Sequence, residues 1–217
     1  MSPRKPDRSL AELIADLDED AALDCVRRRA ASGESALSII EDCQAGMKYV
    51  GEHYQSGNYF ISGLIMAGEI FREAVDILAP MLAESATTGT EGVVLLCTVQ
   101  GDIHDLGKSI VEILLRSHGF TVHDLGVDVP PEDVAREAAS LQPDIVGLSG
   151  LLTVAASGME RTVSVLRPVE QTLGRPLPII IGGGMVNESV MKATGADLWA
   201  NDAAVGVRLI RERLAAV

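Results

Sequence analysis

The sequence predicts an α/β protein in two parts: an N-terminal four-helix bundle, then a Rossmann-like, flavodoxin-like domain with a five-stranded parallel sheet. Three observations predict it. Over the first 85 or so residues, apolar side chains recur every three or four positions, the helical period. From residue 92 onward, short apolar runs alternate with amphipathic segments, the pattern of strands covered by helices on both faces. Between the two periods lies a polar stretch, residues 84–91 (ESATTGTE), which reads as a linker. Domains are therefore expected at 1–88 and 89–217.

Taken in order, Ser9-Leu10-Ala11-Glu12 is a capping box in front of Leu13, Ile14 and Leu17, and opens the first helix. A second helix runs from about Asp20 and stops near Gly33. Ile39, Cys43, Met47, Val50 and Tyr54 share one face of a third, which Gly57-Asn58 ends. Ile61, Leu64, Gly68, Phe71, Val75, Leu78 and Leu82 mark a fourth, and Gly63 and Gly68 within it point to close packing. Short connections suggest an antiparallel bundle. In the second half, strands are expected at 92–99, 120–126, 144–150, 177–184 and 197–200. Helices are expected at 107–118, 131–141, 155–173, 187–194 and 202–216. Such sheets bind ligands beyond the carboxyl ends of the strands, where strand order reverses; the usual flavodoxin-like order is 2-1-3-4-5.

Composition removes several function classes. A net charge of −13 argues against nonspecific binding to nucleic acid or to an anionic membrane. No run approaches the roughly 20 apolar residues of a membrane span. The N-terminal MSPRKPDRS is basic but lacks the apolar core of a signal peptide. Cys25, Cys43 and Cys97 are odd in number and widely spaced, which suggests reduced thiols in a cytoplasmic protein rather than a disulfide frame or zinc knuckle. Arg27-Arg28-Arg29 reads as a solvated helix face.

The chemistry concentrates in residues 98–115 (TVQGDIHDLGKSIVEILL), at the end of the first expected strand. Gly101 and Gly107-Lys108-Ser109 approach a phosphate-binding loop, but five residues separate the glycines where that loop has four. Asp102 and Asp105 would also repel a polyphosphate. His53, His118 and His123 read as ordinary structural or solvated histidines. His104 differs by its company, because Asp102 stands two residues before it and can reach one ring nitrogen. The other nitrogen is then left for a metal, with its basicity raised by the carboxylate. A zinc site would need two or three further ligands, and no His or Cys cluster supplies them. A single His with one carboxylate suits a metal whose other ligands come from a macrocycle.

Asp102-Ile103-His104-Asp105-Leu106-Gly107, Ser149-Gly150-Leu151 and Gly182-Gly183 follow one another at strand ends. They resemble the D-x-H-x-x-G, S-x-L and G-G signature of cobalamin-binding domains, of the methionine-synthase type and of the small corrinoid proteins of methyltransferase systems. Residues 50–63 (VGEHYQSGNYFISG) and 70–82 (IFREAVDILAPML) are similar to the helical cap of those proteins, so the resemblance runs from about residue 35 to the end. It implies that His104 replaces the cofactor's dimethylbenzimidazole as lower ligand to cobalt. Asp102 becomes the candidate catalytic residue, accepting a hydrogen bond from the His104 ring and coupling coordination to proton uptake. Ile103, Asp105 and Gly107 belong to the cobalamin loop, the last two under the corrin. Ser149 and Thr153 would hydrogen-bond the displaced nucleotide tail, Leu151 would pack on its ring, and Gly182, Gly183 and Gly184 would let backbone approach it. Tyr54 and Ile61 would cover the upper face, where related proteins commonly have Phe in place of Tyr54 and often Pro in place of Ser62. The methionine-synthase type extends the Asp–His pair with a serine; here that position is Ala155, and Ser157 is the nearby hydroxyl.

The function so implied is a methyl carrier. It would take a methyl group onto Co(I) from a donor-specific methyltransferase and present methyl-Co(III) to an acceptor methyltransferase working with tetrahydrofolate or coenzyme M. A reductive-activation protein joins the expected partners, and the linker is the expected hinge. The chain itself has no room for a substrate barrel of about 250 residues. Two alternatives stay open: a cobalamin-dependent sensor or regulatory protein, and the small subunit of a B12-dependent mutase.

Overall fold

The computed structural model describes residues 8–83 and 91–215. The chain divides into two compact units, Met1–Glu84 and Ser85–Val217. The expected linker and hinge at 84–91, apart from Glu91, and the expected boundary at residue 88 lie outside the described residues.

The first unit has four helices: α1 (Leu10–Ala15), α2 (Glu19–Ala31), α3 (Ala36–Gln55) and α4 (Ile61–Ala83). The capping box at α1 forms in both directions. The Glu12 N–H donates to Ser9 Oγ at 3.3 Å, and the Ser9 N–H donates to Glu12 Oε2 at 2.7 Å. The core is the apolar stripe of each helix, including Ile14, Leu23, Val26, Ile39, Cys43, Val50, Ile70, Phe71, Leu78 and Leu82. Each such buried aliphatic or aromatic side chain is worth about 1.5–3 kcal/mol. Close packing occurs at Gly63, where an added Cβ would meet Leu17 and Tyr59 at 3.4 Å. It does not occur at Gly68, where a Cβ would meet nothing within 4 Å. The tightest crossing is at Gly46, whose Cβ would fall 2.7 Å from Ile14 Cβ, so α1 lies directly on α3. Tyr54 and Ile61 share the period of the stripes but are exposed, because they stand at the ends of α3 and α4 beside the Gly57-Asn58 turn. Arg29 ties Glu34 and Asp42 to the end of α2.

The second unit alternates β1 (Gly92–Thr98), α5 (Leu106–Ser117), β2 (Phe120–Asp124), α6 (Pro131–Leu141), β3 (Ile145–Ser149), α7 (Ala155–Leu173), β4 (Ile179–Gly182), α8 (Glu188–Thr194), β5 (Leu198–Ala200) and α9 (Ala203–Ala215). The strands are all parallel, in the order β2-β1-β3-β4-β5. Helices α5 and α9 pack together, and α6 packs on α7, consistent with a sheet covered on both faces. Leu95, Cys97, Val146, Leu148, Ile179 and Ile181 point into one core with Met159, Val163 and Leu166 of α7. Strand order reverses between β1 and β3, the place where sheets of this kind open a ligand crevice. The register puts Thr98, Ser149, Gly182 and Ala200 side by side at the carboxyl edge of four neighbouring strands. Among the described residues no helix is long and apolar enough to cross a membrane.

Candidate functional site

The loop between β1 and α5 turns at Gly101, at φ +90°, a conformation that costs Gly little and other residues much. The next residue, Asp102, folds back under the loop and is 1% exposed. Its Oδ1 sits 2.6 Å from His104 Nδ1 and accepts the His104 backbone N–H at 3.0 Å. Its Oδ2 accepts the N–H groups of Leu151 and Leu152, at 2.7 and 2.9 Å, from the loop after β3. Burial works to raise the Asp102 pKa. The Leu152 N–H, the His104 ring and the N–H groups of His104 and Leu151 outweigh it and hold the carboxyl down at about 2. Asp102 is therefore an anion near neutrality and can only accept hydrogen bonds. The ring of His104 must donate through Nδ1, which leaves the Nε2 lone pair on the neutral ring.

His104 is held at its backbone as well. Thr98, fully buried at the end of β1, donates its hydroxyl to the His104 carbonyl at 3.1 Å. The imidazole side chain is still 46% exposed, and among the described residues no protein group bonds Nε2. The loop thus offers one nitrogen outward and fixes everything behind it. No three His, Cys, Asp or Glu side chains among the described residues converge to hold a metal ion. One exposed nitrogen suits a metal that brings its remaining ligands in a macrocycle.

The other expected residues of the second unit lie at or beyond the carboxyl ends of β1, β3 and β4. Asp105 is the residue before α5, and its carbonyl accepts the Ser109 N–H at 2.8 Å. Gly107 is exposed, and a Cβ added there meets nothing within 4 Å, so the space beside it is open. Ser149 ends β3 half-buried, while Leu151 and Thr153 are exposed in the following loop. Gly183, at φ +129°, is forced by the protein itself: a Cβ would lie 2.0 Å from the Gly150 carbonyl oxygen. A Cβ on Gly184 would touch Leu151 at 3.3 Å, which brings the loops after β3 and β4 together. Gly182 is less confined, with Ala200 O at 3.5 Å. Tyr54 and Ile61 belong to the first unit and are exposed, as are Phe60 and Ile65.

Ala155 is fully buried at the start of α7. A Cβ built on Gly150 would come 2.5 Å from its methyl and 3.7 Å from Asp102 Oδ2, so Gly150 neighbours both. Ser157 does not extend the pair: its hydroxyl is exposed and donates to the Val154 carbonyl at 2.9 Å. Sequence reading missed Thr98 and the exposed apolar residues Val127, Leu152 and Val154, which stand with Ile103 and Leu151 on the loops after β1, β2 and β3. A hydroxyl ending an otherwise apolar strand was the available signal for Thr98.

Comparison with known proteins identifies the family. Family models described as B12 binding domain match residues 92–208 and 7–79. The chain is 32% identical over 215 residues to dimethylamine corrinoid protein 1 of Methanosarcina acetivorans, covering 99% of this chain and 100% of that protein. The structure of the Methanosarcina barkeri monomethylamine corrinoid protein superposes with a TM-score of 0.85 at 29% identity, covering 94% of this chain and 95% of that one. A methanol:cobalamin methyltransferase complex from the same organism gives a TM-score of 0.52 at 26% identity, covering 96% of this chain and 79% of the matched one.

Proposed function

This chain belongs to the B12-binding family as a corrinoid protein of a methyltransferase system, and from that premise we propose that His104 is its ligand to the cobalt of a bound corrinoid. The protein is a methyl carrier. When bound, the corrinoid supplies the metal centre that takes up a methyl group and gives it away. The chain supplies ligation, orientation and exclusion of water. The observation that carries the reading is the 2.6 Å contact between His104 Nδ1 and a buried, anionic Asp102, which leaves Nε2 outward.

Asp102 fixes the tautomer and the plane of the His104 ring. Ile103, Asp105 and Gly107 are assigned to the lower face of the macrocycle; the open space at Gly107 and the exposed apolar side chains of Ile103, Val127 and Leu152 support this. Ser149, Leu151, Thr153 and the backbone of Gly182, Gly183 and Gly184 are assigned to the nucleotide tail, supported by their common place at the carboxyl edge of β3 and β4. Tyr54 and Ile61 are assigned to cover the upper face, supported by their exposure outside the helical core. Residues 1–88 and 89–217 are taken as cap and cobalamin domain.

A donor-specific methyltransferase, an acceptor methyltransferase using tetrahydrofolate or coenzyme M, and a reductive-activation protein complete the proposed system, with the methylated corrinoid as working form and the cytoplasm as compartment. Relatives named for methylamines and methanol share the fold, which supports placing donor choice in the partner. Those relatives are named as methylamine corrinoid proteins and as a methanol:cobalamin methyltransferase complex, so the sensor and mutase-subunit readings are not favoured.

The test is anaerobic reconstitution with cobalamin and EPR of the Co(II) state for wild type and His104→Ala. The expected result is nitrogen splitting from a protein imidazole, lost in the variant. Failure to take up cobalamin, or binding with the benzimidazole still on cobalt, would overturn the role of His104.

A further inference from the structure

The ligand loop is braced from a side that no sequence motif marks. The connection from β2 to α6 runs along it, and Asp128 sits in that connection, exposed and in the left-handed region at φ +53°. Non-glycine residues adopt that region infrequently, Asp more readily than most, and such backbone persists where the surroundings fix it. Asp128 makes two bonds to successive residues of the loop. Its carboxylate Oδ1 accepts the Gly101 N–H at 2.7 Å, and its own N–H donates to the Asp102 carbonyl at 3.0 Å. On either side the same connection continues the attachment. The Thr98 N–H donates to the Gly126 carbonyl at 2.9 Å, and the Val129 N–H donates to the Thr98 carbonyl at 3.1 Å. At the far end of the loop, buried Lys108 pairs with Asp124, whose other oxygen accepts the Gly126 N–H at 2.9 Å. The loop is therefore gripped before Asp102, at Asp102 and after His104 by one neighbouring segment.

We propose that Asp128 is a positioning residue of the ligand loop. It clamps Gly101 and Asp102 so that Asp102 stays under the His104 ring and Nε2 stays where a lower ligand is needed. This rests on the ligand role proposed for His104. The clamp is a peptide N–H held by a carboxylate at the surface, so its loss shifts the balance between His-ligated and unligated cobalt about 3- to 10-fold, the effect of one hydrogen bond.

Two substitutions separate the clamp from the turn. Asp128→Gly adopts the left-handed backbone without strain but removes the acceptor. Asp128→Asn keeps an acceptor oxygen and tolerates the same backbone. Two readouts apply to the full chain. In the cofactor-free protein, exchange of the Gly101 amide proton reads the clamp itself. In protein loaded with cobalamin in the Co(II) state, the EPR fraction carrying imidazole nitrogen splitting reads its consequence. We expect Asp128→Gly to speed Gly101 exchange about 10-fold and to lower the ligated-to-unligated ratio 3- to 10-fold, and Asp128→Asn to stay near wild type in both. An Asp128→Gly protein with wild-type splitting would overturn the assignment and leave Asp128 a turn residue. An Asp128→Asn protein as impaired as Asp128→Gly would overturn the hydrogen-bond account. Wild-type protein without nitrogen splitting would overturn the ligand role of His104, and the positioning role with it, even where Gly101 exchange still shows the clamp.

Discussion

Asp102 combines near-complete burial with a carboxyl pKa of about 2, against an ordinary 3.8. A folded-state pKa below the unfolded value stabilises the protein above the unfolded value. That stability is lost as pH falls from about 4 toward 2. The difference corresponds to about 2 kcal/mol. Urea unfolding of the cofactor-free protein between pH 5 and pH 2 is expected to show this loss in wild type, and a flatter profile in Asp102→Asn. Two glycines make a second contrast. Gly183→Ala would drive a Cβ to 2.0 Å from Gly150 O at φ +129°, and is expected to cost 3 kcal/mol or more, about the upper range for one residue. Gly107→Ala meets nothing within 4 Å and lies inside α5, so the cofactor-free protein should gain about 0.5–1 kcal/mol from helix propensity. If Gly107 lies under the corrin as proposed, the same variant should bind cobalamin more weakly. Thermal melts with and without cobalamin check both.

Among the elements, α5 and β2 share a buried ion pair. The Lys108 side chain is 3% exposed in the first turn of α5 and meets Asp124 at the end of β2. Removing one partner leaves an uncompensated charge, so Lys108→Met is expected to cost about 3 kcal/mol in the cofactor-free protein, read from the urea midpoint. The order of elements was legible because each carries its own period and its own stop. Helix α6 spans Pro131–Leu141 and α7 spans Ala155–Leu173, the ranges their periodicity predicts. Both are amphipathic and both end in left-handed caps, at Gln142 and Gly174. Gly46 was not legible, because its contact with Ile14 is between helices and leaves no periodic mark.

At the scale of the whole molecule, the second unit holds His104, Asp102 and the proposed tail groove, and also the chain's one tryptophan, Trp199 on β5. Binding to the folded state alone adds stability by mass action, about 2.7 kcal/mol at a free ligand concentration 100 times Kd. The Trp199 fluorescence transition in urea should shift accordingly when cobalamin is added, and less in His104→Ala at the same concentration. By itself the sequence determined the two kinds of domain and the identity of the motif residues, since helical and strand periods are short-range and motif side chains are written letter by letter. Only the tertiary structure decided how Asp102 is held. Its second oxygen is capped by main-chain N–H groups of Leu151 and Leu152, 49 and 50 residues away, and Gly101 is clamped by Asp128, 27 residues away. Every residue but proline carries the same peptide N–H, so which ones converge on a carboxylate is set by how the strands are laid side by side, not by any residue type the sequence displays.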